Sequence, residues 1–251
     1  MNREATDLAG VRHIVYETLG STNAEALSRA RAGERGPLWI TAKAQTAGRG
    51  RRGSQWVSPP GNLYTTLLLT EPSPGPQAPQ LAFVAALALY DGIAACAPQL
   101  GPILKLKWPN DLLIGPAKVA GVLIEGESDP TFAVAIGLGV NCASHPQNTA
   151  YPAIDLAAAG AVVAPEALFV TLSAAMRDRL KQWHRGLGFA AVRADWLKRA
   201  AGLGEALQVR LPEREVSGRF QGLDDAGRLL LEQANGVTAV TAGEVFGFGG
   251  R

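Results

Sequence analysis

Cysteine, histidine and net charge are all scarce in this 251-residue chain, and each shortage closes off a class of function. The two cysteines, Cys96 and Cys142, belong to no Cys-x-x-Cys pair and no Cys/His cluster. A disulfide-stapled scaffold is therefore not expected, and a tetrahedral zinc site lacks its ligands. His13, His145 and His184 fall in no catalytic or metal-binding spacing, and no nucleophile elbow accompanies them. A formal charge of +2 creates no global field for gripping nucleic acid, so DNA is not an expected partner. Residues 1–20 mix charges throughout and hold no apolar signal core. The longest apolar run, residues 81–97, contains Asp91 and Gly92 and falls short of the roughly 20 clean residues a membrane span needs. It reads as a buried helix in a cytoplasmic protein with no membrane partner.

What is present is the material of a folded core, with 47% hydrophobic and 18% charged residues. Thr22 and Glu25 make the T-x-x-E of a capping box, so a helix runs from there to Arg31 and Gly33 closes it. Residues 38–44 and 62–69 read as strands on either side of a glycine- and arginine-rich loop, residues 48–53. Prolines 72, 74, 76 and 79 mark a surface connector ahead of the long helix. Leu104, Leu106 and Trp108 then alternate with Lys105 and Lys107 as a half-buried strand, which Pro109-Asn110-Asp111 turns. Residues 118–125 and 132–140 are apolar enough for central strands, and helices follow over roughly 165–184 and 189–201. After Gly202 short alternating runs are split by Gly, Asp and Asn turns, the pattern of an antiparallel barrel of about 50 residues. The expected architecture is α+β, divided into units 1–201 and 202–251.

Four motifs and a helix start could carry chemistry. Gly48-Arg49-Gly50-Arg51-Arg52-Gly53 spells the GxGxxG of a dinucleotide-binding turn, but that turn must open a helix. Here it runs into Ser54 and then Pro59-Pro60-Gly61, which cannot be that helix. Three arginines on glycine hinges suit a mobile clamp for phosphate or carboxylate. A solvated basic hairpin fits the same residues, as does a nucleic-acid contact loop, although Trp56 is its only close aromatic. Within Lys107-Trp108-Pro109-Asn110-Asp111, the Asp111 carboxylate could hold Mg²⁺ or orient a cationic nucleophile, and the Asn110 amide could read an adenine edge. An ordinary Asx turn accounts for the same residues. Lys118 opens an apolar strand, where a lysine needs an anion or a path to solvent; an anion would make it a bridge between a substrate carboxylate and the α-phosphate of ATP. Gly121 leaves room for a ligand on that strand, as do the glycines of residues 136–141, which end in Asn141. Ser21-Thr22-Asn23 is explained by helix capping, yet the same hydroxyls suit a polar heterocycle.

In this order the motifs resemble the biotin protein ligase family. Gln45, Gly48 to Gly53 and Trp56 match its Gln-x-x-Gly-Arg-Gly-Arg-Arg-Gly-x-x-Trp loop, and its Lys-Trp-Pro-Asn-Asp stands whole at 107–111. Lys118 with Gly121 matches its Lys-x-x-Gly, residues 139–141 its Gly-Val-Asn, and Ser21-Thr22-Asn23 its first motif. Thr241 to Val245 resemble the end of its C-terminal barrel, so the match runs from about Tyr16 to Phe246. Ser54 departs from the arginine many members carry there, which puts a phosphate contact from that position in doubt.

The resemblance implies a mixed sheet flanked by helices, like that of class II aminoacyl-tRNA synthetases, with an SH3-like barrel after it. It implies an enzyme that makes biotinyl-5′-AMP from biotin and MgATP, then biotinylates a lysine of a carrier protein such as that of acetyl-CoA carboxylase. Carried over residue by residue, Ser21, Thr22, Asn23, Gln45, Arg49, Gly50, Arg51 and Lys118 line the biotin site. Trp56, Asn110 and Asn141 frame the adenylate, Lys118, Arg51 and Asp111 are catalytic, and Asp111 contacts Mg²⁺ or the incoming lysine. Members that repress biotin genes carry an N-terminal helix-turn-helix; this chain begins close to the catalytic motifs and is expected not to be a repressor. A lipoate ligase and a non-catalytic biotin-sensing scaffold are the rival readings, and a homodimer is left open.

Overall fold

The computed structural model describes residues 2–6, 10–129, 131–147, 149, 151–211 and 213–246. Its elements in chain order are β1 (Asn2–Thr6), β2 (Arg12–Leu19), α1 (Thr22–Arg31), β3 (Leu38–Gln45), β4 (Leu63–Thr70), α2 (Leu81–Cys96), β5 (Leu104–Lys107), β6 (Asp111–Ile114), β7 (Ala117–Glu127) and β8 (Ala133–Val140). They continue with α3 (Pro165–Trp183), α4 (Phe189–Leu197), β9 (Ala206–Arg210), β10 (Glu215–Leu223), β11 (Leu229–Gln233), β12 (Gly236–Val240) and β13 (Glu244–Phe246). The first eight strands form one sheet in the order β1-β2-β3-β4-β8-β7-β6-β5. The sheet is mixed because β2 and β3 run parallel while their neighbours pair antiparallel. The remaining five make an antiparallel sheet in the order β12-β11-β10-β9-β13, which gives the α+β architecture.

Period-two alternation decides what each face of the large sheet carries. On β8, Val134, Ile136, Leu138 and Val140 point into the main core with α2, α3 and α4. Ala133 and Ala135 point the other way, into a smaller core with Ala26, Leu27 and Ala30 of α1. Gly137 and Gly139 continue that second face, where the Asn23 amide and the Trp56 indole lie directly over the strand. The sheet is thus covered by α1 at one end of this face and carries a cavity at the other.

Several local expectations are revised. Ser21, not Thr22, is the N-cap of α1 and accepts from the Ala24 N–H, and Glu25 bonds Tyr16 and Arg29 instead of closing a capping box. Gly33 does follow the helix in a left-handed conformation (φ +91°). Strands β1, β2 and β6 lack a clear alternation over enough residues to announce themselves, and α4 stops at Leu197 because Ala201 N–H turns back to Leu106. Lys107 was expected on a solvated face, but it is 8% exposed because residues 151 and 244–246 cover that end of the strand. The run 75–96, ending in α2, is long and apolar enough to cross a membrane by composition, yet α2 is buried against α3 and the sheet.

The small sheet is docked on the large unit. Trp108 Nε1 donates to Gly227 O at 3.1 Å, and Gly227 lies so close to Phe83 and Phe189 that a Cβ there would meet the Phe83 ring at 2.7 Å. Arg193 meets Asp225 at 2.5 Å across the same junction. Residues 1 and 247–251 of the two expected units lie outside the described residues.

Candidate active site

A cavity of about 790 Å³ opens over the uncovered half of the sheet, on the same face as α1. Its walls are the start of α1, the arginine loop, the turn at 108–111, the loop after Asn141 and the end of the small sheet. Every site residue expected from the sequence lines it: Ser21, Thr22, Asn23, Gln45, Arg49, Gly50, Arg51, Trp56, Asn110, Asp111, Lys118 and Asn141.

Strand register explains how one end becomes charged. Lys107, Asp111, Gly121, Gly139 and Tyr64 are cross-strand partners in a single row. Partners in a row share a face, so Lys107 and Asp111 stand beside a floor of two glycines. Lys118 Nζ reaches Asp111 Oδ1 at 2.7 Å, which answers what its ammonium meets. Arg51 Nη1 donates to Asn110 Oδ1 at 3.1 Å, and Asn110 Nδ2 donates to Val122 O at 2.5 Å. Both ends of the Asn110 amide thus clip the loop to the sheet. Burial lowers the pKa of Arg51 from its ordinary value, partly offset by Asp111, and burial does the same to Lys107. Desolvated cations of this kind gain most when an anion arrives.

The other end is polar and closed. Thr22 N–H donates to Gln45 Oε1 at 2.9 Å, and Gln45 Nε2 donates to Ser58 Oγ at 3.0 Å. Thr66 Oγ1 lies 2.7 Å from Asn23 Oδ1 and 2.8 Å from Thr22 Oγ1. Asn141 Nδ2 donates to Ile154 O at 3.0 Å and thereby ties down the loop that follows it.

The glycines have a more specific use than open space. A Cβ on Gly137 would collide with the Asn23 amide, and one on Gly139 would lie 2.6 Å from Trp56 Cε2. A Cβ on Gly121 would stand 3.1–3.2 Å from the end of the Lys118 side chain and the Trp56 ring. These positions receive the protein's own side chains. Trp56 also has Lys118 Nζ 5.2 Å from its ring centroid, and its buried Nε1 has no hydrogen-bond partner. Within the arginine loop, Gly48 and Gly50 let the two limbs approach each other, since a Cβ at either would strike Trp56 O or Ser54 Oγ. Ser54 Oγ donates to Arg51 O at 2.9 Å, so the departing residue is used inside the loop.

Four lining residues went unnoticed in the sequence. Tyr64 lies in the glycine row, and burial pushes its hydroxyl up to about 12. Tyr151 stacks under Lys107 Nζ at 4.7 Å, and burial with a bond to Glu244 raises its pKa further. Glu244 and Phe246 come from the small sheet. Only the Thr241 to Val245 match pointed to that strand. Among the described residues no group of three or more His, Cys, Asp or Glu could hold a metal.

Chemically, the cavity offers cations and the carboxylates of Asp111 and Glu244 over a glycine floor, joined to a polar end. Residues 18–141 match the Biotin/lipoate A/B protein ligase family, and residues 202–246 match the Biotin protein ligase C terminal domain. The biotin--[acetyl-CoA-carboxylase] ligase of Paracoccus denitrificans is 44% identical over 92% of this chain and 98% of its own length. The bifunctional ligase/repressor BirA of Bacillus subtilis is 30% identical over 96% of this chain and 75% of its own. Among solved structures, the Aquifex aeolicus biotin protein ligase in complex with biotin and ATP superposes with a TM-score of 0.78 at 25% identity, covering 93% of this chain and 97% of that one. The Leishmania major enzyme in complex with biotinyl-5-AMP gives 0.66 at 26%, over 91% and 98%. On this identity, carried over nearly the whole length of both chains, the chain belongs to the biotin protein ligase family.

Proposed function

We propose that this chain is a biotin–carrier protein ligase that works in two steps in one cavity. The biotin carboxylate attacks the α-phosphorus of MgATP, the bond to pyrophosphate breaks, and biotinyl-5′-AMP forms. The ε-amine of a carrier lysine then attacks the acyl carbon, loses its proton, and AMP leaves. The observation that carries the reading is Lys118, held 2.7 Å from Asp111 in a cavity that the desolvated Arg51 also lines. A carboxylate and a triphosphate repel each other, and preorganised cations offset that charge best as it is shared in the transition state.

In this reading Lys118 and Arg51 stabilise charge at the reacting centre. Ser21, Thr22, Asn23, Gln45, Arg49 and Gly50 hold biotin at the polar end, while Trp56, Asn110 and Asn141 frame the nucleotide. Asn110 would do so through its clip on Arg51 more than by reading the base, since both ends of its amide are engaged. Asp111 offers one carboxylate oxygen to the magnesium that arrives with ATP, or orients the carrier lysine. One carboxylate suffices there, because Mg²⁺ takes its other ligands from phosphate and water. The catalytic unit ends at residue 201, the unit from 202 onward closes the cavity through Glu244 and Phe246, and the enzyme acts in the cytoplasm on a carrier such as that of acetyl-CoA carboxylase. It has no part in DNA binding, and a homodimer is compatible with every contact described. The test is pyrophosphate release from ATP with biotin or with lipoate. Release with biotin alone supports the reading; release with lipoate at a comparable rate, or with neither, defeats it.

A further inference from the structure

Glu125 lies on β7 just beyond the cavity wall and binds two residues that form it. Its Oε2 accepts from Asn23 Nδ2 at 2.8 Å and from Arg49 Nη2 at 3.0 Å. Register places it one row past Leu123 and Gly137, on the same sheet face as the polar end. Its side chain is 27% exposed, so the charge is partly withdrawn from water and Arg49 is its ion-pair partner.

An ionised carboxylate only accepts hydrogen bonds. Asn23 must therefore turn its nitrogen toward Glu125, and Leu123 O takes the second hydrogen at 3.3 Å. That leaves Asn23 Oδ1 over Gly137, where Thr66 Oγ1 meets it at 2.7 Å. With its one hydrogen given to Asn23, Thr66 accepts from the Thr22 hydroxyl 2.8 Å away, and the Gln45 amide is fixed separately by Thr22 N–H on one side and Ser58 on the other. We infer that Glu125 is a positioning residue that sets the hydrogen-bond polarity of the cavity's polar end. It keeps side-chain oxygens of Asn23 and Thr22 facing the ligand and a guanidinium beside them. That arrangement complements a ring with N–H donors and a carbonyl, which is a cyclic urea. The inference rests on the biotin ligase reading and adds a residue to it.

The test uses the full chain and biotin binding by calorimetry without nucleotide, together with the KM values for biotin and ATP. Glu125→Gln introduces an N–H where only acceptors stood, and its loss of charge-assisted bonds should weaken biotin binding by about tenfold or more, with the KM for ATP within about twofold. Combining Asn23→Asp with Glu125→Gln exchanges carboxylate and amide. It restores the bond between them and an oxygen toward Thr66, so the pair should bind biotin better than either single variant. If Glu125→Gln does not fold, Glu125→Asp, which keeps the carboxylate one carbon short, carries the same comparison. Wild-type biotin affinity in the single variants overturns the inference, as does a parallel loss for biotin and ATP or a pair no better than its worse member. A wild-type chain that binds no biotin defeats the ligase reading itself, and this inference with it.

Discussion

Gly139→Ala adds one methyl group where Trp56 rests on the sheet. Its Cβ would stand 2.6 Å from Trp56 Cε2 and 2.7 Å from Nε1. Carbon contacts are comfortable from about 3.5 Å, so the indole must retreat by about 1 Å. Gly139 pairs with Tyr64 on one side and Gly121 on the other, and neither strand can move without breaking its ladder. The arginine loop that carries Trp56 therefore gives way. Overpacking costs about 1–3 kcal/mol where the surroundings are fixed, and a yielding loop brings the cost to the lower end. The melting temperature should fall by only about 2–4 °C for a chain of this size. Function should suffer more, since a displacement of about 1 Å in a positioning group can cost on the order of 10²-fold. Biotin-dependent pyrophosphate release should thus lose about 10- to 100-fold in kcat/KM for ATP while calorimetry reports a folded protein. Activity within twofold of wild type would refute the assignment of Trp56 to the nucleotide and the glycine floor to Trp56.

Lys118→Ala removes the cation beside Asp111, so adenylate formation in a single turnover should slow by about 10²–10³-fold with the fold intact; a wild-type rate would sink the assigned role. Ser54→Arg introduces the arginine that the family resemblance leads one to expect there, and nucleotide should bind more tightly at low salt, with the gain lost as salt is raised; no change would mean that another group already fills that place. A chain ending at Ala201 loses Gly227, Glu244 and Phe246 and uncovers Phe83 and Trp108. It should remain partly folded, melt lower and lose both adenylate formation and carrier biotinylation, and full activity in either would count against a role for the small sheet there. Asp195 is held well below the usual carboxylate range, first by the Gln182 amide and then by Arg179 and Lys198. A depressed folded pKa stabilises above the unfolded value near ~3.9, so Asp195→Asn should cost about 1–3 kcal/mol at pH 7, a gap that closes as the pH falls below about 4. A gap that persists unchanged into acid would contradict that sign.

How far the sequence could be read depended on the range of the signal. Helix α2 and strands β7 and β8 were legible because their patterns are local and long. So were the clustered motifs, since each is a short run with its own turn chemistry. What escaped were features created by distant parts of the chain meeting. Lys107 looked like the wet side of an amphipathic strand, and only the arrival of Tyr151 and the small sheet buries it. Glu125 is the last residue of the apolar run 118–125, and only the fold brings Asn23 and Arg49 onto it. Glu25 satisfied a capping pattern, but Tyr16 and Arg29 offered it stronger partners. The glycines were read as room for a ligand, whereas the indole and amide they admit come from sequence far away.

The most direct test of the account is to incubate the purified chain with biotin and MgATP and follow pyrophosphate and biotinyl-5′-AMP together, then add a biotin carrier domain. The account predicts one pyrophosphate per adenylate, formed only when biotin is present, followed by loss of the adenylate as one carrier lysine gains biotin. Pyrophosphate release that ignores biotin, or an adenylate that the carrier lysine never consumes, would contradict it.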